Sequence, residues 1–437
     1  MTDTSLLATA KHPPIARTSG RDEIRHPLRF FLWLTQTYGD IVQYRSSVEP
    51  AYLVNHPDYV RHVLQASAQI YNKDTYLNKH LIESLTGQGL LTSENPLWRE
   101  QRRLIQPAFH RRSLAGFAGL MTAAAARAVA RLEAVQPGVT VDIASEMTRL
   151  TLDIVTQALF GYDISGRAEE IGEAMDTMVT IGRPKHRLVR AGIELLDGIV
   201  YAIIDDRRAH PERGRDDLLA MLLSARYDDG RPMPDQQVRD EVMALLVAGH
   251  ETTANTLSWT WYLLAQHPQV VARLEAEIDA VLGGRPPSVD DFPQLVYTDR
   301  VIQEAMRLYP SAWSISRRAL ADDEIGGYFI PRGSIVAMSP YTMHRHPAFW
   351  DEPERFDPER FTPERVAARP RFAYFPFGGG ARQCIGNHFA LMESLIIIPM
   401  LAQRFRLVPR WAEPVEEHAL ITLRPRGGIP VALERRA

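Results

Sequence analysis

The chain's single cysteine, Cys384, lies in the run Phe377-Gly378-Gly379-Gly380-Ala381-Arg382-Gln383-Cys384-Ile385-Gly386. A lone cysteine is either an inert core residue or a thiolate that acts as nucleophile or metal ligand. Three consecutive glycines let the backbone fold tightly and approach a flat object without Cβ clashes. A final helix is predicted to start near residues 385–387, where unsatisfied N–H groups favour an anion such as a thiolate. Arg382 adds a positive charge and a fork for carboxylates. The run lacks the Gly-Lys-Ser/Thr of a phosphate-binding loop, and no strand directly precedes it as a dinucleotide fingerprint requires. With one cysteine there is no intrachain disulfide, iron–sulfur cluster or cysteine-rich zinc site. A glycine-rich connection holding a buried, inert cysteine is the alternative.

Three more groups could do chemistry. Ala248-Gly249-His250-Glu251-Thr252-Thr253 follows an apolar stretch containing Val242, Met243, Leu245, Leu246 and Val247. A polar block in so buried a helix is costly unless it is paired or used. Thr252 can bond back to the Ala248 carbonyl while Gly249 weakens the helix, which predicts a local opening able to hold dioxygen or water. Residue 254 is alanine, so the second histidine of a zinc-protease motif is missing. Glu304 and Arg307, three apart, share a helix face and could be a simple surface ion pair. Trp98 and Arg102, four apart, suit clamping a carboxylate with an indole N–H and a guanidinium, though an arginine-rich helix is also an ordinary solvated face.

The elements that must position these groups are mostly helical. Helical patterns cover residues 97–134, 142–160 (ending at Gly161), 163–210 with a break near 182–184, 234–266 and 268–282. Thr298 reads as the N-cap of a short helix stopped by Pro310. Strands are expected at 41–44, 51–54, 325–330 and 334–338. A proline-rich segment, 347–376, is longer than an ordinary loop. The apolar share of 45%, the charged share of 24% and a net charge of −3 are those of a globular protein with no bulk attraction to nucleic acid. Lysine occurs only at Lys11, Lys73, Lys79 and Lys185, so positive charge is carried by arginine. Residues 1–20 contain no apolar run long enough to span a bilayer. They read as a flexible segment before a single domain over 1–437, expected to be cytoplasmic and without a membrane anchor.

Residues 377–386 resemble the heme-binding loop of the cytochrome P450 family, in which a phenylalanine, glycines and a basic residue precede the axial cysteine. The other three groups follow in the family's order, so the resemblance covers essentially the whole chain. It implies a mainly α fold with a minor β-rich region, shaped as a triangular prism, with heme b between a long central helix and the cysteine-loop helix. Cys384 is then the metal ligand, and Thr252 with Glu251 delivers protons. Phe377, Gly378 and Ala248 lie with the cofactor, and Trp98, Arg102, Arg382 and Arg317 (or Arg318, one register away) hold its carboxylates. Glu304, Arg307 and Arg360 form a structural triad. Arg360 comes from the second of two Pro-Glu-Arg-Phe copies, which fits the family's order better than the first. The substrate pocket is expected from Ala244, Leu245, Ala312, Trp313, Ile315 and Ile421, with the segment around 76–91.

The implied reaction inserts one oxygen atom from O2, the co-substrate, into a hydrophobic small molecule such as a terpenoid, fatty acid or polyketide. Electrons come from a separate ferredoxin or flavodoxin and its reductase, for which Arg99, Arg103, Arg111 and Arg112 offer a basic surface. A peroxide-driven peroxygenase, an isomerase or a non-catalytic heme sensor would also keep Cys384, but each has less use for Glu251 and Thr252.

Overall fold

The computed structural model describes residues 10–17, 23, 25–46, 49–162, 166–181, 183–212 and 217–436. Its longer helices, in chain order, are α1 (Pro27–Tyr38), α2 (Leu97–Ile105), α3 (Ala118–Glu133), α4 (Ile143–Phe160), α5 (Ala168–Ile181), α6 (Arg187–Ala209), α7 (Asp235–Gln266), α8 (Pro268–Leu282), α9 (Val296–Leu308) and α10 (Asn387–Ala402). The strands are β1 (Ile41–Arg45), β2 (Pro50–Val54), β3 (Tyr71–Asn72), β4 (Thr140–Asp142), β5 (Ile315–Ala319), β6 (Asp323–Ile325), β7 (Tyr328–Ile330), β8 (Ile335–Met338), β9 (Phe405–Pro409), β10 (Glu417–Ala419), β11 (Leu423–Pro425) and β12 (Pro430–Arg435). The chain divides into two compact units. One comprises Met1–Lys79 with Met306–Cys384, the other His80–Ala305 with Ile385–Ala437.

The first unit is built on a sheet of order β1-β2-β8-β5-β3, which closes its own core from strands drawn from both ends of the chain. Only the β2–β8 pair is parallel. Successive side chains of a strand point to opposite faces. Accordingly Ile41, Tyr52, Val54, Val336 and Met338 join one core with Val60, Phe372 and Phe375, while Val42, Tyr44, Leu53 and Ala337 join another with Phe30, Phe31 and Leu34 of α1. The stretch expected as one strand at 325–330 is instead the hairpin β6–β7, turned at Gly326 and Gly327, both at positive φ. Part of the segment expected to be flexible is tied down: the Lys11 N–H donates to Gly327 O at 2.9 Å and the Ala16 N–H to Gln43 O at 2.8 Å. Residues 1–9 and 18–20 of that segment lie outside the described residues.

The second unit is organised around α7, which packs on α4, α6, α8 and α10. α4 begins and ends as its sequence dictates. The Asp142 carboxylate accepts from the Ala144 N–H, and Gly161 closes the helix in the left-handed region. α9 starts earlier than expected, at Val296, and Thr298 is inside it rather than its cap. The Glu277 carboxylate of α8 supplies the missing acceptor, taking the Tyr297 and Thr298 N–H groups at 2.6 and 2.8 Å. The stretch Ser113–Glu133, which contains α3, is long and apolar enough to cross a bilayer by length and composition. α3 packs on α4 and α10, burying Met121, Ala124, Ala125, Ala128 and Leu132, and pairs Arg127 and Arg131 with Asp153 and Glu146.

Candidate active site

The loop before Cys384 is shaped by its glycines. Gly378 and Gly380 both sit at φ +68°, where a side chain is strained. A Cβ on Gly380 would lie 1.8 Å from the Leu64 carbonyl oxygen. Hydrogen bonds close the turn: Gly378 N–H to Phe375 O at 2.9 Å, and Cys384 N–H to Phe377 O at 3.0 Å. Arg382 ends a single 3-10 turn, Gly380–Arg382, and Cys384 follows as an exposed thiol three residues before α10. An inert structural cysteine would be buried; this one is displayed.

Behind the loop, in the same unit, Arg307 is fully buried, which rules out a surface ion pair. Its Nη1 donates to His344 O at 2.9 Å and Pro353 O at 2.6 Å, and Nη2 donates to Arg355 O at 3.1 Å. Its guanidinium also lies over the Trp350 ring. Arg360 is buried and donates to Glu352 O at 2.9 Å, whereas Arg355, from the first Pro-Glu-Arg-Phe copy, is exposed and bonds the Glu352 carboxylate. Glu304 is likewise fully buried.

Sequence reasoning missed His344. The Phe375 N–H donates to its Nε2 at 3.0 Å and its Nδ1 faces Arg307 O at 3.3 Å, so it ties the arginine's backbone to the root of the cysteine loop. Burial first, and the Arg307 charge second, push its pKa well below the usual histidine value. Its only sequence signal is its place just before the proline-rich segment.

In the second unit, α7 is buried on most faces, and Ala248, Thr252 and Thr256, spaced by four, form a partly open stripe. The Thr252 hydroxyl donates to Ala248 O at 2.8 Å, the back-bond read from the sequence. The expected local opening is not there, because α7 runs as α-helix without a break from Asp235 to Gln266. Val155 of α4 lies 3.1 Å from where a Gly249 Cβ would sit, which leaves little room for the backbone to bulge on that side. Burial lowers the pKa of His250 to about 4, so its imidazole is neutral at physiological pH.

Glu251 is buried and its Oε1 accepts from the Thr422 hydroxyl and, at 2.6 Å, from Arg424 Nε. Neither Thr422 nor Arg424 was legible as a functional residue; they stand 171 and 173 residues away along the chain. Nine residues after Cys384, Glu393 is also fully buried, and burial holds its carboxyl well above the usual range.

Trp98 and Arg102 line one open cleft of about 320 Å³ together with Arg99, Arg103 and His110. Arg103, of the expected basic surface, is exposed and ion-paired with Asp228, and the side chains of Arg111 and Arg112 lie outside the described residues. Strand alternation sends Arg317 and Arg318 to opposite faces of β5. Arg318 grips the Glu49 carboxylate with Nη1 and Nη2 at 3.0 and 2.9 Å, while Arg317 is buried on the opposite face of β5.

Trp313 packs on Phe31 and the α1 core, and Ala244 is covered by Gly89, whose Cβ would come within 2.8 Å of it. Leu245 is buried, while Ala312, Ile315 and Ile421 are partly exposed, Ile315 beside Gly378. Among the described residues no cluster of histidine, cysteine or carboxylate could hold a metal ion by itself.

Comparison with known proteins agrees with this arrangement. The sequence profile of the family described as Cytochrome P450 matches residues 20–429. Cyclooctatin synthase of Streptomyces melanosporofaciens is 37% identical over 402 residues, covering 88% of this chain and 86% of its own. Pentalenene oxygenase of Streptomyces avermitilis is 33% identical over 415 residues, covering 92% and 91%. The crystal structure of the cytochrome P450DA heme domain has a TM-score of 0.88 at 30% identity over 98% of both chains. A displayed cysteine in a glycine loop, a buried arginine behind it and a long helix with an acid–alcohol pair thus occur in a chain that belongs to the cytochrome P450 family, a family of oxidoreductases acting as monooxygenases.

Proposed function

We propose that this protein inserts one oxygen atom from O2 into a hydrophobic small molecule of terpenoid type, with electrons from a separate ferredoxin or flavodoxin and its reductase. The observation that carries the reading is the exposed Cys384 thiol at the end of a turn that only glycine at 380 allows. The residue set fits heme b. Cys384 would ligate the iron, and Phe377, Gly378 and the small Ala248 would lie beside the flat ring. Trp98, Arg102, Arg317 and Arg382 would meet its carboxylates, a charge balance suited to holding two anions out of water. The bound heme supplies the oxygen-activating chemistry.

The protein's own residues do the rest. The Thr252 hydroxyl, anchored on Ala248 O, presents its oxygen on the open stripe of α7, where it can orient water. Glu251 is the acid that refills protons, since its Oε2 is buried and has no hydrogen-bond partner among the described residues. Glu304, Arg307 and Arg360 brace the chain behind the loop. The terpenoid class is supported by the names of similar proteins, pentalenene oxygenase and cyclooctat-9-en-7-ol 5-monooxygenase among them. The partly exposed Ala312, Ile315 and Ile421 offer apolar contact and no charged anchor. As part of the same proposal, the protein acts in the cytoplasm.

The test is turnover under ¹⁸O₂ with a surrogate ferredoxin and reductase, after a terpenoid panel has been screened by the heme absorption shift. One labelled oxygen atom in the product is expected. Turnover that needs only peroxide, or products without label, would overturn the reading.

A further inference from the structure

The C-terminal hairpin is fastened along α7 at positions spaced by four. The Thr422 hydroxyl donates to Glu251 Oε1 and accepts from Asn255 Nδ2 at 3.1 Å, and the Trp259 indole N–H donates to Leu423 O at 3.1 Å. Residues 251, 255 and 259 lie on one helix face, so the start of β11 is registered against the acid. Arg424, the next residue, divides its guanidinium: Nε donates to Glu251 Oε1 at 2.6 Å and Nη1 to Asp176 Oδ1 of α5 at 2.5 Å.

This division matters because a guanidinium beside a carboxylate prefers to take both oxygens in parallel hydrogen bonds. Here both hairpin donors converge on Oε1, and Oε2 remains buried with no partner among the described residues. Asp176 takes Nη1, and no arm of the guanidinium reaches Oε2 among the described residues. Ile421, partly exposed, immediately precedes Thr422, so the hairpin that holds the acid also carries an expected pocket residue.

We propose that Thr422, Arg424 and Asp176 are positioning residues that hold Glu251 by Oε1 alone and so reserve Oε2 for proton transfer. The proposal rests on the reading of Glu251 as the proton-delivering acid. Asp176 lies outside the hydrophobic core with a largely exposed side chain, so Asp176→Asn should leave folding intact. It frees Arg424 to close on both oxygens, and kcat should fall several-fold with KM unchanged and a larger solvent isotope effect. Thr422→Val removes one holder, and product formed per NAD(P)H should drop several-fold. Arg424→Lys should recover part of what Arg424→Gln loses.

A readout independent of turnover is thermal stability of the purified holoprotein. The Glu251→Gln and Arg424→Gln losses should be non-additive in a double-mutant cycle. If Glu251→Gln slows turnover while Asp176→Asn and Thr422→Val change neither coupling nor isotope effect, the positioning role is wrong and the role of Glu251 stands. If Glu251→Gln itself is silent, the reading of Glu251 fails and the proposal goes with it. An additive stability cycle would also count against it.

Discussion

The cysteine loop and the acid–alcohol block of α7 reach defined geometry by opposite means. At 377–384 the backbone decides: two glycines at positive φ and a carbonyl that leaves no room for a Cβ fix where the thiol emerges. At 248–252 the backbone is plain α-helix, and what is special is done by side chains held from another part of the chain. The first kind of site is most sensitive at Gly380 and is written in neighbouring residues. The second can be altered in steps, and its partners are distant in sequence.

The largest expected effect tests the bracing of the backbone-built site. Arg307→Ala leaves three carbonyl oxygens without their buried donor and should cost about 3–5 kcal/mol, read as lost thermal stability and lost heme content. If the variant keeps full heme content and melting temperature, the bracing role is wrong. Next is Gly380→Ala, where positive φ and the clash with Leu64 O together should cost on the order of 3 kcal/mol. It should bind heme poorly, whereas alanine at Gly379, in extended backbone, meets the Phe372 side chain and no main chain. Equal damage at both positions would erase the distinction.

The side-chain-built site should respond differently. Thr252→Ala should fold normally, with a stability change below about 1 kcal/mol. NAD(P)H oxidation should continue while hydrogen peroxide replaces much of the product. Unchanged coupling would remove Thr252 from the proton supply.

A further effect on the same helix is a pH drift. Burial, with the neighbouring Asp240 charge, lifts the Glu241 carboxyl from its usual 4.5 to about 8 while it accepts the Leu90 N–H at 2.8 Å. The folded state therefore binds the proton more tightly than the unfolded chain. The corresponding stability is complete below the unfolded value and is lost as pH rises through about 8. Melting temperature should fall by a few degrees across that window, and Glu241→Gln should flatten the slope. A slope unchanged in the variant would assign the drift elsewhere.

The contrast also explains what could be read from the sequence. The cysteine loop, the ends of α4 at Asp142 and Gly161, and the Thr252 back-bond are local, so residue type and spacing were enough. The start of α9 was misplaced because its cap is the carboxylate of Glu277, some 20 residues earlier, not its own Thr298. That Arg318 bonds Glu49 while Arg317 is buried depends on a residue 269 positions away, so it could not be read locally. The packing of Trp313 on Phe31 joins residues far apart in the chain, so the sequence did not show it. Thr422, Arg424 and His344 act only through tertiary contact, and their strands and turns are too short to show a period.

The most direct test of the account is the carbon monoxide spectrum of the reduced holoprotein, wild type beside Cys384→Ser. A thiolate-type Soret band in the wild type that disappears in the variant is the predicted result. A wild type without that band, or a variant that retains it, would contradict the assignment of Cys384 as the iron ligand.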